Sequence, residues 1–351
     1  MVIWGHGAVT LPQTALVLQL RKYLPTGYFG VQVFFVLSGF LITTLLLSER
    51  AKTGKISLGG FYRRRAYRIL PALYVFLLVV LVLALTRVID GIGLRDFLAA
   101  GLFVRDYTDA DGAWWVGHTW SLSVEEQFYI LWPLLVILLK RKTAIRILII
   151  GVLVSPLIRV ATYLLPHGDL QITLMFHTRA DALMIGCLIA FGMTNERFRQ
   201  LVQTGLRRHL GWIAVAWLPI SWYLTTRFAG IWLYTLGYLG DALAIGALMI
   251  WMMERPASPF GKFLNWRPVV HVGLISYSLY LYQQLFMTRH NQTVFGGLTL
   301  FGLLALFVSA ELSYRLVEQP FLRLRVRGEK AAARRRAARR VAETGSPDPV
   351  S

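Results

Sequence analysis

Apolar runs of about twenty residues return along nearly the whole chain, near 27–47, 69–86, 122–139, 145–165, 177–193, 210–226, 230–253, 269–287 and 294–316, with a partial one at 1–20. Each is long enough to cross the roughly 30 Å hydrocarbon layer of a bilayer as a helix. A lipid-exposed span must satisfy its own backbone hydrogen bonds, and a helix does so within one segment. The pattern predicts an all-α fold, a polytopic integral membrane helical bundle of about ten transmembrane helices. The stretch 92–105 is apolar but short and broken by Arg95 and Asp96, and reads as an outer re-entrant or interfacial helix.

The polar positions between the runs give an orientation. Basic residues gather in the segment 48–68 (Arg50, Lys52, Lys55, Arg63, Arg64, Arg65 and Arg68), in 140–146, in 194–209 and in the tail, where Arg334 to Arg340 form an RRRAARR run. Alternate loops are poorer in Lys and Arg, and 87–113 holds Asp90, Asp96, Asp106, Asp109 and Asp111. The rule that cationic loops stay inside then puts both termini in the cytoplasm. Residues 1–322 are expected to form one membrane domain. Residues 323–351 are expected to form a basic cytoplasmic tail, a frayed helix on the anionic inner leaflet passing into disorder.

Composition agrees with this picture. Of 351 residues 56% are hydrophobic and only 16% charged, where about a quarter is usual for a soluble domain. The net charge of +19 is concentrated in loops and tail, which excludes nucleic acid as the natural partner and points to the bilayer surface. The single cysteine, Cys187, lies in an apolar run, cannot form an intrachain disulfide and reads as core packing. The first residues lack the basic n-region and cleavage site of a secretory leader.

Few polar side chains interrupt the apolar runs, and those few carry the candidate chemistry. His6 in MVIWGHGAV could take a hydroxyl proton near neutral pH, although a lone His in an apolar stretch is more often a hydrogen-bonded structural residue. In YRRRAYRILP, Arg65 and Arg68 are three apart and share a helix face. Tyr62, Tyr67 and Tyr74 interleave with them, and Pro71 opens the next run. Guanidinium groups suit phosphate oxygens and the aromatics could stack on a purine, against the plainer reading of an ordinary inside loop. WSLSVEEQFY places Glu125 and Glu126 at the start of a span. Adjacent helical residues diverge by about 100°, so one of the pair points inward; the alternative is an acidic helix cap. Arg179 and Asp181, two apart in HTRADALMIG, point to different sides of a helix and read as structural pairing. Tyr277, Tyr280, Tyr314, Arg315 and Glu318 complete the set. Pro320 is expected to stop the last helix at the inner surface, with Glu318 either an ion pair there or a functional group.

Taken together, GYFGVQVFFVLSGFLIT, FYRRRAYRILP, HTWSLSVEEQFYILWP, RADALMIG, ISYSLYLY and SYRLVEQPF resemble acyltransferase family 3, integral membrane O-acyltransferases of surface glycans, lipids and macrolides. Each segment alone is weak; six in the family's order, covering most of 27 to 322, are specific. The resemblance implies that an acyl-CoA, acetyl-CoA foremost, enters from the cytoplasm as co-substrate, with no permanently bound cofactor and no metal. The acyl group passes to a hydroxyl of a glycan, glycolipid or macrolide. It maps the catalytic His onto His6, the CoA-phosphate grip onto Arg65 and Arg68 with Arg64 and Tyr62 beside them, and the WSL-x-x-E signature onto Trp120, Ser121 and Glu125, with Glu126 adjacent. Ser38, Arg179, Asp181, Tyr277, Tyr280 and Glu318 are further pocket candidates.

This sequence departs from the family twice. The usual arginine about ten residues before the His is absent, so the first helix is expected to be truncated and to insert poorly. Where many members have a His after the SLYL run, this chain has Gln283, which cannot titrate. The expected reaction is a hydroxyl attacking a thioester carbonyl, with His6 as base and Glu125 or Glu126 orienting it or holding the acceptor. The oxyanion donor, the acceptor, the acyl length and the oligomeric state are not readable in the sequence. The rival readings are a transporter or flippase, against which stands the lack of an internal repeat, and a membrane sensor of the same fold that has lost activity.

Overall fold

The computed structural model describes residues 2–7, 27–108, 114–165, 172–202, 207–287 and 300–344. Every regular element among them is helical. In chain order the helices are α1 (Val2–Gly7), α2 (Gly27–Thr53), α3 (Leu58–Leu85), α4 (Leu94–Gly101), α5 (Trp114–Gly117), α6 (Trp120–Leu138), α7 (Arg141–Leu164), α8 (Phe176–Met193), α9 (Glu196–Leu201), α10 (Arg207–Trp232), α11 (Tyr238–Met253), α12 (Pro259–Leu264), α13 (Arg267–Leu274), α14 (Ser276–Phe286), α15 (Leu300–Ser313) and α16 (Gln319–Thr344). Among the described residues, five helical segments are long and apolar enough to cross a membrane: 27–53, 58–85, 114–138, 141–163 and 230–253. The chain is a multi-pass membrane protein. Its outward faces carry leucines where a soluble protein would carry charge, such as Leu45, Leu78 and Leu157, exposed by 60%, 57% and 67%.

Two apolar cores hold the bundle. One is built from α2, the start of α3, α6, α7, α8 and α11 around Phe35, Trp132, Leu148, Leu183 and Ile245. The other joins α3, α5, α14 and α15 around Leu73, Phe76, Trp115, Leu281 and Leu306. Helices α3 and α6 serve both, with Phe61, Ile69, Val124 and Phe128 in the first and Leu73, Phe76 and Leu122 in the second. The closest helix contact is between α2 and α8. A Cβ on Gly39 would sit 1.9 Å from the Leu183 carbonyl oxygen, and one on Gly186 would sit 2.1 Å from that of Val36. Lipid offers no hydrophobic drive for helix association, so such backbone approach through small residues is what holds the pair.

Two sequence expectations are corrected. The segment 48–68 is not a basic loop. Gly54, at φ 73°, ends α2 in the left-handed region open to glycine. Ser57 then caps α3 by accepting from the Gly60 amide at 3.2 Å. The link is therefore 54–57, and the arginines ride on the first turns of α3, with Pro71 inside that helix. Nor does Pro320 stop the last helix. A π-helical turn at Tyr314–Glu318 joins α15 to α16, which runs to Thr344. The wider turn absorbs the proline at the second position of α16, where a missing N–H is tolerated. Residues 345–351 and the rest of the partial run 1–20 lie outside the described residues. The short helix expected in 92–105 is α4, and the run 269–287 divides at Ile275 into α13 and α14.

Candidate functional site

The polar candidates form a column along the seam between the two cores, lined by α3, α6 and α14. At one end stands the arginine turn of α3. Arg65 lies with its guanidinium 3.8 Å over the Tyr129 ring, a cation–π contact. Arg68 is exposed, and its charge acts on both Glu125 and Glu318. Arg64 turns away to pair with Glu49 at 2.8 Å, and Tyr62 donates to the Ile130 carbonyl at 2.9 Å. Those two brace α3 against its neighbours instead of facing the column.

One turn deeper, Glu125 is buried. Its Oε1 accepts from Ser38 Oγ of α2 at 2.5 Å and from the Tyr129 hydroxyl. Glu126 is half-buried, feels the charges of Glu125 and Arg65, and keeps an Oε1 with no hydrogen-bond partner. The one-in, one-beside arrangement follows from the helical angle between neighbours. Tyr277 of α14 senses Glu125, Glu126, Glu318 and Arg68 and donates to the Ile69 carbonyl of α3 at 3.0 Å. Glu318 accepts at 2.5 Å from Ser278 Oγ, which lies 2.8 Å from Ser313 Oγ. Glu318 is thus hydrogen-bonded inside the bundle, within reach of Arg68.

Continuing along the column, the Tyr280 hydroxyl pairs with Ser121 Oγ, lies within reach of the Glu125 charge and approaches the His118 carbonyl at 2.7 Å. His118 is 2% exposed, with its ring edge-on to Phe76 and Tyr280 at 5.7 and 5.2 Å. Its backbone N–H donates to Gln284 Oε1 at 3.1 Å, and the same oxygen lies 2.5 Å from ring Nδ1. A backbone N–H can only donate, so the facing atom is the amide oxygen, and Nδ1 must carry the ring proton. Nε2, also buried, attains hydrogen-bond geometry with no described residue, although the Leu281 backbone acts on the ring. Sequence reading did not single out His118, although it stands in the HTWSLSVEEQFY segment; nor did it find Gln284.

His6 closes the column. Its ring meets Trp114 edge-on at 5.4 Å, its charge reaches His118, and it faces Gln283. Neither amide atom of Gln283, nor His6 Nδ1, attains hydrogen-bond geometry with any described residue. From Arg65 to Phe76, which touches His118, α3 advances roughly 16 Å at about 1.5 Å per residue, a rough length for the column.

Arg179 and Asp181 lie outside it. Arg179 donates to Gln32 Oε1 at 2.9 Å and stacks 3.9 Å over Tyr238, with Trp120 beside it at 5.9 Å. Asp181 pairs with Arg159 at 2.7 Å, both fully buried, and Arg159 also donates to the carbonyls of Thr178 and Tyr234. The separate partners expected for residues two apart are present. Tyr314 sits in the π turn, and Arg315 pairs with Glu311 at 2.5 Å on the exposed side. Among the described residues no group of three His, Cys, Asp or Glu side chains is placed to hold a metal ion.

A family model described as an acyltransferase domain, Acyl_transf_3, matches residues 1–314. Among curated proteins, the O-acetyltransferase OatA of Staphylococcus aureus is 31% identical over 337 residues, covering 89% of this chain and 55% of its own length. The peptidoglycan O-acetyltransferase OatA of Listeria monocytogenes is 29% identical over 328 residues, covering 84% of this chain and 51% of its own. The chain spans about half the length of the curated relatives it matches. No solved structure matches it.

Proposed function

This chain belongs to the acyltransferase 3 family, and on that premise we propose that it is a membrane O-acetyltransferase taking its acetyl group from acetyl-CoA. The observation that carries the reading is the polar column itself. Cations stand at one end, a histidine beside unpaired polar atoms at the other, and carboxylates and hydroxyls between, all enclosed by apolar walls. Ionisable groups inside a membrane bundle are costly and mark a path or a partner.

In this reading about ten helices span the cytoplasmic membrane with both ends inside, residues 1–322 form the membrane domain and 323–351 the basic tail. Arg65 and Arg68 hold the CoA phosphates from the cytoplasmic side, with Tyr62 and Arg64 fixing the turn that presents them. The pantetheine arm lies along Glu126, Tyr277 and Tyr280 and brings the thioester toward His6. His6 accepts the proton of the attacking hydroxyl, that oxygen bonds to the acyl carbon, and the C–S bond breaks. The thiolate leaves and regains the proton from His6. Glu125, fixed by Ser38 and Tyr129, counters the Arg65 guanidinium and the positive charge that His6 gains during proton transfer. The acceptor is a sugar hydroxyl of an envelope glycan, and the Listeria relative, named for peptidoglycan, makes that polymer the first to try; glycolipid and macrolide hydroxyls follow.

The test uses purified chain in nanodiscs with radiolabelled acetyl-CoA and de-O-acetylated peptidoglycan glycan strands. Wild type should label the strands. His6→Ala should lower kcat about a thousand-fold, the scale of a lost general base. Arg65→Ala and Arg68→Ala should instead raise KM for acetyl-CoA about tenfold each, more at low salt than at high salt, since screening weakens such contacts. Undiminished transfer by His6→Ala would remove His6 from the reaction. Absence of transfer by wild type to glycan, glycolipid and macrolide alike would return the chain to the transporter or sensor readings.

A further inference from the structure

The attack of a hydroxyl on a thioester turns the carbonyl oxygen into an oxyanion, and such a step is fast only where fixed donors await that charge. Among the described residues, none of the cations discussed above meets this need at the histidine end. Arg65 and Arg68 stand at the far end of the column, and Arg159 and Arg179 lie outside it, bonded in part to Asp181 and Gln32, with Arg179 stacked on Tyr238.

Gln283 is different. It is fully buried on α14, it lies within side-chain hydrogen-bonding range of His6, and neither end of its amide attains full hydrogen-bond geometry with a described residue. Its neighbour Gln284 is engaged: Oε1 takes the His118 backbone and ring protons, and the Gln284 carbonyl accepts from Trp114 Nε1 at 3.1 Å. Two glutamines in sequence thus play opposite parts, one locking the wall and one left open beside the base. Buried side-chain amides almost always find partners. An amide that completes neither bond, beside His6 Nδ1, which completes none either, marks a place for a group that arrives with the substrate.

The geometry points to Gln283 as a catalytic residue, the oxyanion donor of the acyl-transfer step. Its Nε2–H donates to the thioester oxygen as the tetrahedral intermediate forms. His6 takes the hydroxyl proton, the oxyanion collapses, the C–S bond breaks, and the thiolate leaves with the proton returned by His6. Gln283 exchanges no proton. A residue that cannot titrate therefore suits this position, and a histidine there could make the same donation through a ring N–H.

This inference rests on the acyl-transfer reading above, and its test separates the two. In the nanodisc assay with acetyl-CoA and glycan strands, Gln283→Leu and Gln283→Glu should lower kcat about a hundred-fold, the scale of one lost oxyanion donor. KM for acetyl-CoA should stay within about threefold in both. Gln283→His, which restores a donor, should recover at least a tenth of the wild-type kcat. Wild-type kcat in Gln283→Leu, an effect on KM alone, or an equal fall in the Leu and His variants would overturn the assignment while leaving the acyltransferase standing. No transfer by wild type would instead overturn the reading beneath it. If the Leu and Glu variants do not elute as folded protein, Gln283→Asn decides: its withdrawn donor should cost about tenfold in kcat, and an unchanged rate would overturn the assignment.

Discussion

At the scale of single residues, the charged members of the column were legible, the family's segments also brought out Ser38, Ser121, Tyr277, Tyr280 and the departure at Gln283, and His118 and Gln284 were not found. Arg65, Arg68, Glu125 and Glu126 announce themselves because charge inside or beside an apolar run is costly and therefore informative. Gln283, Gln284 and His118 carry no such signal, since what matters about them is which atoms are left unpaired, and that appears only once α1, α6 and α14 are packed. Asp106, outside the spans, makes a related point. It is fully buried, accepting from Gln127 Nε2 at 2.9 Å and the Phe176 amide at 3.2 Å, and burial raises its pKa to about 6. A folded-state pKa above the unfolded one means that the unfolded chain releases its proton first. The contribution of Asp106 to stability is therefore complete below about pH 4 and is lost as pH rises through about 6. Thermal unfolding in detergent should show wild type losing stability relative to Asp106→Asn between about pH 4 and 7; parallel curves across that range would contradict this. Breaking the buried Arg159–Asp181 pair is a heavier insult. Asp181→Asn should cost about 3–5 kcal/mol, because it leaves a guanidinium buried without its charge partner.

At the scale of elements, hydropathy located the helices but misplaced two of their ends. The start of α3 was hidden because its first turns are polar, and only Gly54 and Ser57, a stop and a cap, mark it. The passage through Pro320 was hidden because a π turn has no simple sequence signature. The pairing of α2 with α8 was also invisible to periodicity, since both helices are apolar on all sides. It depends on Gly39 and Gly186, whose missing side chains let backbones approach to a distance no Cβ allows. This contact also sets Ser38, the neighbour of Gly39, against Glu125. Gly186→Val should therefore abolish the monodisperse peak in size-exclusion chromatography, or lower the unfolding midpoint by more than 10 °C if folded protein survives, whereas Gly273→Ala, with open space around its Cβ, should do neither.

At the scale of the whole molecule, the all-helical membrane architecture followed from composition and run length alone, and the family followed from six segments in order. The seam between two cores did not, because it depends on α3 and α6 contributing to both. The orientation inferred from the basic segments has its own test. A fluorescent protein fused after Thr344 should fold and fluoresce, as it does in the cytoplasm, and alkaline phosphatase inserted in the 54–57 link should be inactive. The opposite pair of outcomes would invert the column and place the arginine turn where no coenzyme A is available.

The sole thiol of the chain offers a practical opening. Cys187 is buried, and its Sγ points at the Gly39 carbonyl from 3.4 Å across the α2–α8 contact. Maleimides and spin labels added to the native protein should leave it untouched, so the wild-type molecule already serves as a blank background. A cysteine introduced at any lipid- or water-facing position would be the one site to react, and spectroscopic rulers could follow the donor's passage without a cysteine-less mutant being made first.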